Sequence, residues 1–172
     1  MSAIIPQGRI VRLLRQYREE VCFCLRFSAY TIVAFLALYA LHDQVVVPFT
    51  WHIAWLTHRL LRAAGAQAWV SGVYVGIPGF AVEIKNNCNA IYEIGLYASV
   101  VFAYPATWFT RTLGVAMGSI LLYLANLIRV LALIGIGRYF PGGFQLAHLY
   151  FFQALFLAVV AACWLSRIHR LA

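Results

Sequence analysis

The sequence predicts an all-α polytopic membrane protein with about four transmembrane helices, an interfacial helix and a short surface β-hairpin. Two observations support this fold class: apolar residues make up 64% of the chain and charged residues only 10%, and the apolar residues gather in long runs. An average soluble domain has about 25% charged residues, so the apolar excess is expected to face lipid. We expect a single integral membrane domain, residues 1–172.

Four apolar runs are long enough to cross a bilayer, which takes about 20 residues. They extend from about Val21 to Leu41, Ala90 to Phe109, Thr112 to Ile136, and His148 to Leu165. Each run is therefore predicted to be a transmembrane helix. The last three runs, within residues 90–165, are expected to pack together as the core helices.

The segment between the first two runs, residues 42–89, has a mixed character. Within Phe49–Ala64, apolar side chains recur every three to four residues, which predicts a helix lying in the membrane interface. Its predicted apolar face consists of Phe49, Ile53, Leu56 and Leu60. Ala68–Val75 and Phe80–Ile84 are rich in Val, Tyr and Phe and flank Gly76-Ile77-Pro78-Gly79, which predicts a β-hairpin on the membrane surface.

The placement of arginines predicts the orientation of the chain. Arginines precede the first run, separate the second from the third, and follow the fourth: Arg9, Arg12, Arg15, Arg18, Arg111, Arg167 and Arg170. With four spans these places share one side, which the positive-inside rule makes the cytoplasm. The basic N-terminus, residues 1–20, is then cytoplasmic, and residues 42–89 face outward. The net charge of +8 thus reflects membrane topology, and we expect no nucleic-acid partner.

Three chemically distinctive residues are predicted to meet near the outer surface of the membrane. Cys88 directly precedes the second span and His148 opens the fourth. Arg129 follows Thr112 by about 17 residues, which is about 25 Å along a helix that starts at the inner surface. A thiol, a cation and an imidazole at one depth indicate a catalytic site.

The other cysteines are predicted to lie too far away to pair with Cys88. Cys22, Cys24 and Cys163 belong to the inner end of the spans, about 30 Å from Cys88 across the hydrocarbon. A disulfide requires Cα atoms within about 7 Å. Cys88 is therefore expected to remain a thiol, and a thiol redox protein would lack its outer partner cysteine. Cys88 and His148 are also too few ligands for a closed zinc site, so no metal or cofactor is expected.

Arg129 is difficult to explain by packing, because a charged side chain inside a span costs about 3 kcal/mol on insertion scales. Asn126, three residues earlier, lies on the same helix face and would share its cavity. Glu93, one turn into the second span, is the expected counter-ion. A structural Arg129–Glu93 pair is the alternative explanation, and it would suit a non-catalytic scaffold or a transporter component.

Together these groups have the chemistry of acyl transfer. A cation beside a thiol favours the thiolate nucleophile. The imidazole of His148 can take the thiol proton and later protonate the leaving amine. Arg129 can hold the oxyanion or the substrate carbonyl, and Asn126 can orient Arg129. The hairpin and the interfacial helix would cover the site and receive an extended peptide.

The motifs Asn87-Cys88-Asn89-Ala90 and Asn126-Leu127-Ile128-Arg129, followed by His148, resemble those of the exosortase/archaeosortase family. The resemblance extends from about Gly72 to Leu165. It implies a multi-pass protein of the bacterial inner membrane, with a catalytic Cys88, Arg129 and His148 at the outer, periplasmic face. Asn89, Asn126 and Glu93 would support these three residues.

The resemblance also implies the activity and the partners. Family members are inferred to be cysteine transpeptidases that cut the C-terminal sorting tails of exported proteins, each tail consisting of a short motif, a membrane helix and a basic cluster. The new carboxyl end passes through a thioester to an acceptor nucleophile, which the sequence does not identify. The short chain is similar to the exosortase H subtype, whose tails are of an Ile-Pro-Thr-Leu type. Ala90 departs from the family, which usually has Gly there to permit a close approach or an unusual φ.

Overall fold

The computed structural model describes residues 17–155, 157–158 and 161–162, which form a mostly helical fold with one small sheet. The elements are α1 Arg18–Ala40, α2 Val47–Ala63, β1 Trp69–Ser71, β2 Tyr74–Ile77, β3 Phe80–Glu83, α3 Ile91–Ala103, α4 Trp108–Tyr139 and α5 Phe144–Leu146. A π-helical turn, His42–Val46, leads into α2, and a second, Ala147–Phe151, follows α5. The 3-10 turns Asn86–Cys88 and Pro141–Gly143 precede α3 and α5.

Two of the described helices, α1 and α4, are long and apolar enough to cross a membrane. At about 1.5 Å per residue, the 23 residues of α1 and the 32 of α4 extend about 35 and 48 Å. No residue of α1 is buried against the rest of the protein. Aromatic contacts of Tyr30 with Phe102 and of Phe35 with Tyr92 hold α1 against α3, so its other faces are left for lipid.

The second predicted span is shorter than the sequence indicated. Instead of Ala90–Phe109, the helix is α3, whose 13 residues cover about 20 Å of a hydrocarbon core of about 30 Å. Pro105 explains the early end, because the residue before a proline avoids the helical region, and Tyr104 is extended. Thr107 then caps α4 by accepting a hydrogen bond from the Thr110 backbone N–H at 3.3 Å. Arg111 consequently lies in the first turn of α4 instead of a loop.

Most of the fourth predicted span, His148–Leu165, extends past the continuously described residues. The structure shows its beginning, where α5 and the π-helical turn Ala147–Phe151 continue as helix. The prediction of four spans therefore stays a prediction. Cys163, most of the arginines near the termini (Arg9, Arg12, Arg15, Arg167 and Arg170) and most of the predicted cytoplasmic segment 1–20 also lie outside the described residues.

A helix, α2, is present where an interfacial helix was predicted, and its buried face differs from the prediction. The buried residues are Thr50, Ile53, Ala54 and Thr57, which follow the three- and four-residue spacing of one helix face. Leu60, expected on that face, is exposed. Small residues at positions 50, 54 and 57 allow α2 to approach the sheet and α4 closely. The buried face of α2 is therefore not the one that carries its largest apolar side chains.

The predicted hairpin is a three-stranded antiparallel sheet in the order β1-β2-β3. The segment expected to be one strand, Ala68–Val75, breaks at Gly72, whose φ of +60° is readily adopted only by glycine. Val75 pairs with Val82 across β2 and β3. The sheet packs on α2 and α4 through a buried cluster of Ile53, Ala54, Val75, Ile84, Val130 and Ile134. This cluster holds β3 along α4 and positions the turn that carries Cys88.

Candidate active site

Cys88 lies in the short 3-10 turn Asn86–Cys88 between β3 and α3. Asn89 is fully buried, and its Oδ1 accepts a hydrogen bond from the Ile91 backbone N–H at 3.0 Å. Ala90 has φ +71°, and within the described residues no other non-glycine residue has a positive φ. The position at which the family usually has Gly thus requires a left-handed conformation, which costs an L-residue about 1–2 kcal/mol.

Arg129 and Asn126 lie on the buried face of α4. Arg129 is 5% exposed and Asn126 is fully buried, which agrees with their predicted position on one helix face. Both polar atoms of the Asn126 amide are buried without a hydrogen-bond partner, so a direct bond from Asn126 that orients Arg129 is not present. These atoms are available to a water molecule or to a substrate amide, since buried polar groups are normally satisfied.

His148 lies in the π-helical turn after α5, and an aromatic stack holds its ring. The ring stacks on Phe144 with centroids 5.7 Å apart and planes at 4°. Phe144 in turn meets Phe80 of β3 edge-on at 5.3 Å. Phe80 packs directly over Gly137 of α4. The orientation of the imidazole therefore depends on close packing between β3, α4 and α5, and its buried Nδ1 has no hydrogen-bond partner.

Cys88, Arg129 and His148 line one cavity of about 450 Å³. The other walls are β3 with the residues that follow it, a side of α4, and the start of the final helical segment. These walls include residues 80–85, Val130, Leu133, Phe144, Gln145 and Leu149. The structure therefore brings together the three residues that the sequence analysis placed at one depth, and β3 runs alongside them.

The electrostatics of the cavity favour neutral forms of both reacting groups at rest. Burial raises the pKa of the Cys88 thiol, and Glu93 raises it further, whereas Arg129 and Lys85 lower it. His148 stands where the predicted fourth span begins and lies outside α1 and α4, and its pKa is lowered by burial and then by the cations Arg129 and Lys85. These directions favour a protonated thiol and a neutral imidazole in the same cavity, and a neutral imidazole is able to accept a thiol proton.

Glu93 does not pair with Arg129 as the sequence analysis expected. The two side chains are described residues, yet no ion pair within 4.0 Å joins them, and Glu93 Oε2 is buried without a hydrogen-bond partner. Glu93 nevertheless lies near enough to raise the pKa of Cys88. The alternative explanation, a structural Arg129–Glu93 ion pair, is therefore not supported by a contact between these two side chains.

Sequence reasoning missed two groups that shape the site. In the sequence, Phe80 and Phe144 are simply two apolar residues. In the structure, Phe144 stacks on the His148 ring and Phe80 packs against Phe144. His42 and Thr50, from the segment before and within α2, hydrogen-bond to the asparagines beside Cys88. The polar Thr50 on the buried helix face was the available signal, but Thr57 lies on the same face and the asparagine partner of Thr50 is 36 residues away in the sequence.

The Gly137 packing leads to a stability prediction. A Cβ at Gly137 would overlap the Phe80 ring, whereas a Cβ at Gly135 on the same helix meets nothing within 4 Å. We expect Gly137→Ala to lower the free energy of unfolding by about 1–3 kcal/mol, the usual cost of overpacking. Gly135→Ala should leave it equal or raise it through helix propensity. Thermal unfolding in detergent compares the two, and equal melting temperatures would contradict the packing described for Phe80.

Comparison with known proteins identifies one family. The family model described as Transmembrane exosortase matches residues 12–166. No curated protein matches the chain, and no solved structure does. The match covers Cys88, Arg129 and His148, the three residues that line the cavity.

Proposed function

The chain belongs to the transmembrane exosortase family, and from this premise we propose that it is a membrane-embedded cysteine protease and transpeptidase. Its substrates are the C-terminal sorting tails of exported proteins, cut through a thioester acyl-enzyme. The observation that supports this proposal most strongly is the single cavity lined by Cys88, Arg129 and His148. A nucleophile, an acid/base group and a cation then stand around one space that an extended peptide can enter.

In the acylation step, His148 takes the proton of Cys88 as the sulfur attacks the scissile carbonyl carbon. The carbonyl π electrons move to oxygen, and the guanidinium of Arg129 stabilises this oxyanion in its buried surroundings. When the oxyanion collapses, the C–N bond breaks and the imidazolium of His148 protonates the leaving amine. The products are a thioester on Cys88 and the released tail.

In the second step, an acceptor nucleophile gives its proton to His148 and attacks the thioester carbonyl. The thiolate leaves and regains its proton, so the thiol and the neutral imidazole are restored. An amine acceptor gives transpeptidation and water gives hydrolysis. Asn89 and Asn126 support these steps through the backbone of the Cys88 turn and the pocket around Arg129, and Glu93 tunes the thiol through its charge.

The tail is proposed to dock as an added strand on β3. The Ile84 backbone N–H donates to the Val73 carbonyl, so in the alternating antiparallel pattern the Ala81 and Glu83 amides point away from β2. Since β3 is an edge strand and its residues line the cavity, these amides can bond an extended peptide. A peptide docked along β3 would place its scissile carbonyl near Cys88, since the Cys88 turn directly follows β3.

Replacing Glu83 with proline tests this docking. Glu83→Pro removes the outward N–H, and we expect kcat/KM for tail cleavage to fall about five-fold, the effect of about 1 kcal/mol. Glu83→Ala removes the same side chain but keeps the N–H, so it is the matched control and separates side-chain contacts from the backbone bond. Equal cleavage by the two variants would rule out strand addition at this amide.

The membrane setting of the proposal is a bacterial inner membrane with the cavity at its outer, periplasmic face. A substrate tail with its own membrane helix would diffuse in the same bilayer and dock beside the protein's helices by packing. Its basic cluster would remain on the cytoplasmic side, which leaves its motif outside, level with Cys88. The compact chain favours the exosortase H subtype and hence a motif of the Ile-Pro-Thr-Leu type.

Co-expression with a tail-bearing reporter tests the function. A membrane-anchored reporter carries either an Ile-Pro-Thr-Leu tail or a Pro-Glu-Pro tail, and a scrambled motif is the matched control. Blotting is expected to show a shortened product with the first tail and none with the scrambled motif. Failure to cleave either tail or any of a wider panel of tails would contradict the proposal.

A further inference from the structure

Asn86 and Asn89, which lie before and after Cys88, share one hydrogen-bond partner, the hydroxyl of Thr50 on α2. Asn89 Nδ2 donates to Thr50 Oγ1 at 2.7 Å, and Thr50 Oγ1 donates to Asn86 Oδ1 at 2.8 Å. Thr50 and Asn89 are both fully buried. A buried hydroxyl that accepts from one asparagine and donates to the other ties together the two ends of the turn that carries the thiol.

The hydrogen-bonded chain continues from Asn86 to the π-helical turn that precedes α2. Asn86 Nδ2 donates to His42 Nε2 at 3.0 Å, and His42 Nδ1 lies 3.0 Å from Asp43 Oδ1. With the imidazole proton on Nδ1, each step from Asn89 to Asp43 has one donor and one acceptor. Thr50 Oγ1 also lies 2.9 Å from the Val46 carbonyl, the usual helical acceptor, so its proton is shared between the helix and the Cys88 turn.

The backbone before α2 is adapted to this chain of bonds. His42 begins the π-helical turn His42–Val46, and such turns are uncommon and often occur at functional sites. The other π-helical turn, Ala147–Phe151, carries His148. Both π-helical turns within the described residues thus place a histidine beside the Cys88 region, one in the cavity and one behind the turn.

We propose that Thr50 is a positioning residue for Cys88, and that its hydroxyl, with Asn86, Asn89 and His42, holds the thiol where it faces Arg129 and His148. The inference rests on the proposed function in taking Cys88 as the nucleophile. Without the hydroxyl, the amide of Asn89 loses its acceptor and the carbonyl of Asn86 loses its donor. The buried amide of Asn89, left unpaired, costs about 1–3 kcal/mol, which is enough to disrupt a short turn, and the half-buried Asn86 loses its bond to α2.

Thr57 provides a matched comparison on the same helix face. It is fully buried like Thr50, but its hydroxyl has no hydrogen-bond partner. A threonine at this face therefore need not bond outside its helix, and what distinguishes Thr50 is its pair of bonds to Asn86 and Asn89. Thr57→Val removes a hydroxyl of equal burial from the same helix without touching the hydrogen-bonded chain.

The test uses variants in which Cys22, Cys24 and Cys163 are replaced by alanine, so that iodoacetamide reports on Cys88. Thr50→Val should raise the alkylation rate several-fold at neutral pH and shift its midpoint to lower pH. The reason is that burial is the largest influence raising the pKa of Cys88, and a released turn exposes the thiol. Reporter cleavage should fall about ten-fold. Thr50→Ser, which keeps the hydroxyl, and Thr57→Val should both behave as the parent does.

Faster alkylation together with slower cleavage shows that the thiol is present but wrongly positioned. Loss of the nucleophile would lower both rates. Should Thr50→Val prove too unstable, His42→Ala replaces it, since His42 is partly exposed and should give a smaller shift in the same direction. Alkylation profiles of Thr50→Val and Thr57→Val that coincide would overturn the inference. If the alkylation pattern appears as expected but the parent cleaves no tail, the proposed peptidase activity fails and the positioning role of Thr50 stands.

Discussion

Replacing Cys88 with alanine is expected to abolish cleavage of the tail-bearing reporter. The thiol is the nucleophile of the proposed reaction, and loss of a nucleophile that works with its base typically lowers kcat by many orders of magnitude. We expect a fall of at least about 10³-fold, which on a blot is complete loss of the shortened product. Arg129 and His148 remain in the cavity of the variant, so the effect isolates the sulfur.

Cys24→Ala is the matched control for this experiment. Cys24 is an exposed cysteine of α1 and does not line the cavity, so the same substitution there should leave cleavage unchanged. The expression level and detergent elution profile of the Cys88 and Cys24 variants should match the parent. Cleavage retained by Cys88→Ala would remove Cys88 from the mechanism, whatever the behaviour of the control.

Replacing Arg129 with glutamine is expected to have the second largest effect, a 10²- to 10³-fold loss of cleavage. That is about the effect of removing one oxyanion donor from an enzyme. The same variant should shift the alkylation midpoint of Cys88 to higher pH. The guanidinium lowers the pKa of Cys88 by favouring the thiolate, so its removal leaves burial and Glu93, which both raise it, less opposed.

Arg129→Lys separates the two roles of this residue. The lysine keeps a cation near the thiol but loses the planar pair of donors that holds a carbonyl oxygen. We therefore expect its alkylation profile to lie near that of the parent while its cleavage falls. An unchanged alkylation midpoint in Arg129→Gln would show that the cation does not act on Cys88.

The membrane helices were predicted from the sequence as far as local patterns allow. Hydropathy located α1 and α4 because their apolar runs are long and contain few charged residues. Hydropathy overestimated the length of α3, because the apolar run continues past Pro105 whereas a helix does not readily continue through a proline. Likewise, enrichment in residues that favour strands predicted extended structure at 68–75, but the backbone freedom of Gly72 divides it into two strands.

The convergence of Cys88, Arg129 and His148 could be predicted because depth in a membrane follows from residue count and orientation. Each residue lies near the end of an apolar run, so simple lengths place all three at one level. The prediction of Glu93 as the counter-ion of Arg129 was wrong, because the depth of a residue does not fix the direction in which its side chain points around the helix axis. Glu93 and Arg129 stand at compatible heights but make no ion pair within 4.0 Å.

The support around Cys88 could not be predicted from sequence patterns. The bonds of Thr50 and His42 to Asn86 span 36 and 44 residues, and such contacts arise only when α2 packs beside the Cys88 turn. The left-handed Ala90 was indicated only by the resemblance to a family that usually has Gly there, since alanine itself favours helix. Long-range packing decides such details of a site, whereas composition and spacing decide its location.

The central claim is a covalent acyl-enzyme at Cys88, and the most direct test is mass spectrometry of the protein acid-quenched while it turns over the reporter. The account predicts that the N-terminal reporter fragment is attached to the peptide containing Cys88, through a bond that hydroxylamine breaks. Cys24 in the same digest should carry no adduct. A reporter cleaved to completion with the fragment attached elsewhere, or with no hydroxylamine-labile adduct at Cys88, would contradict the claim.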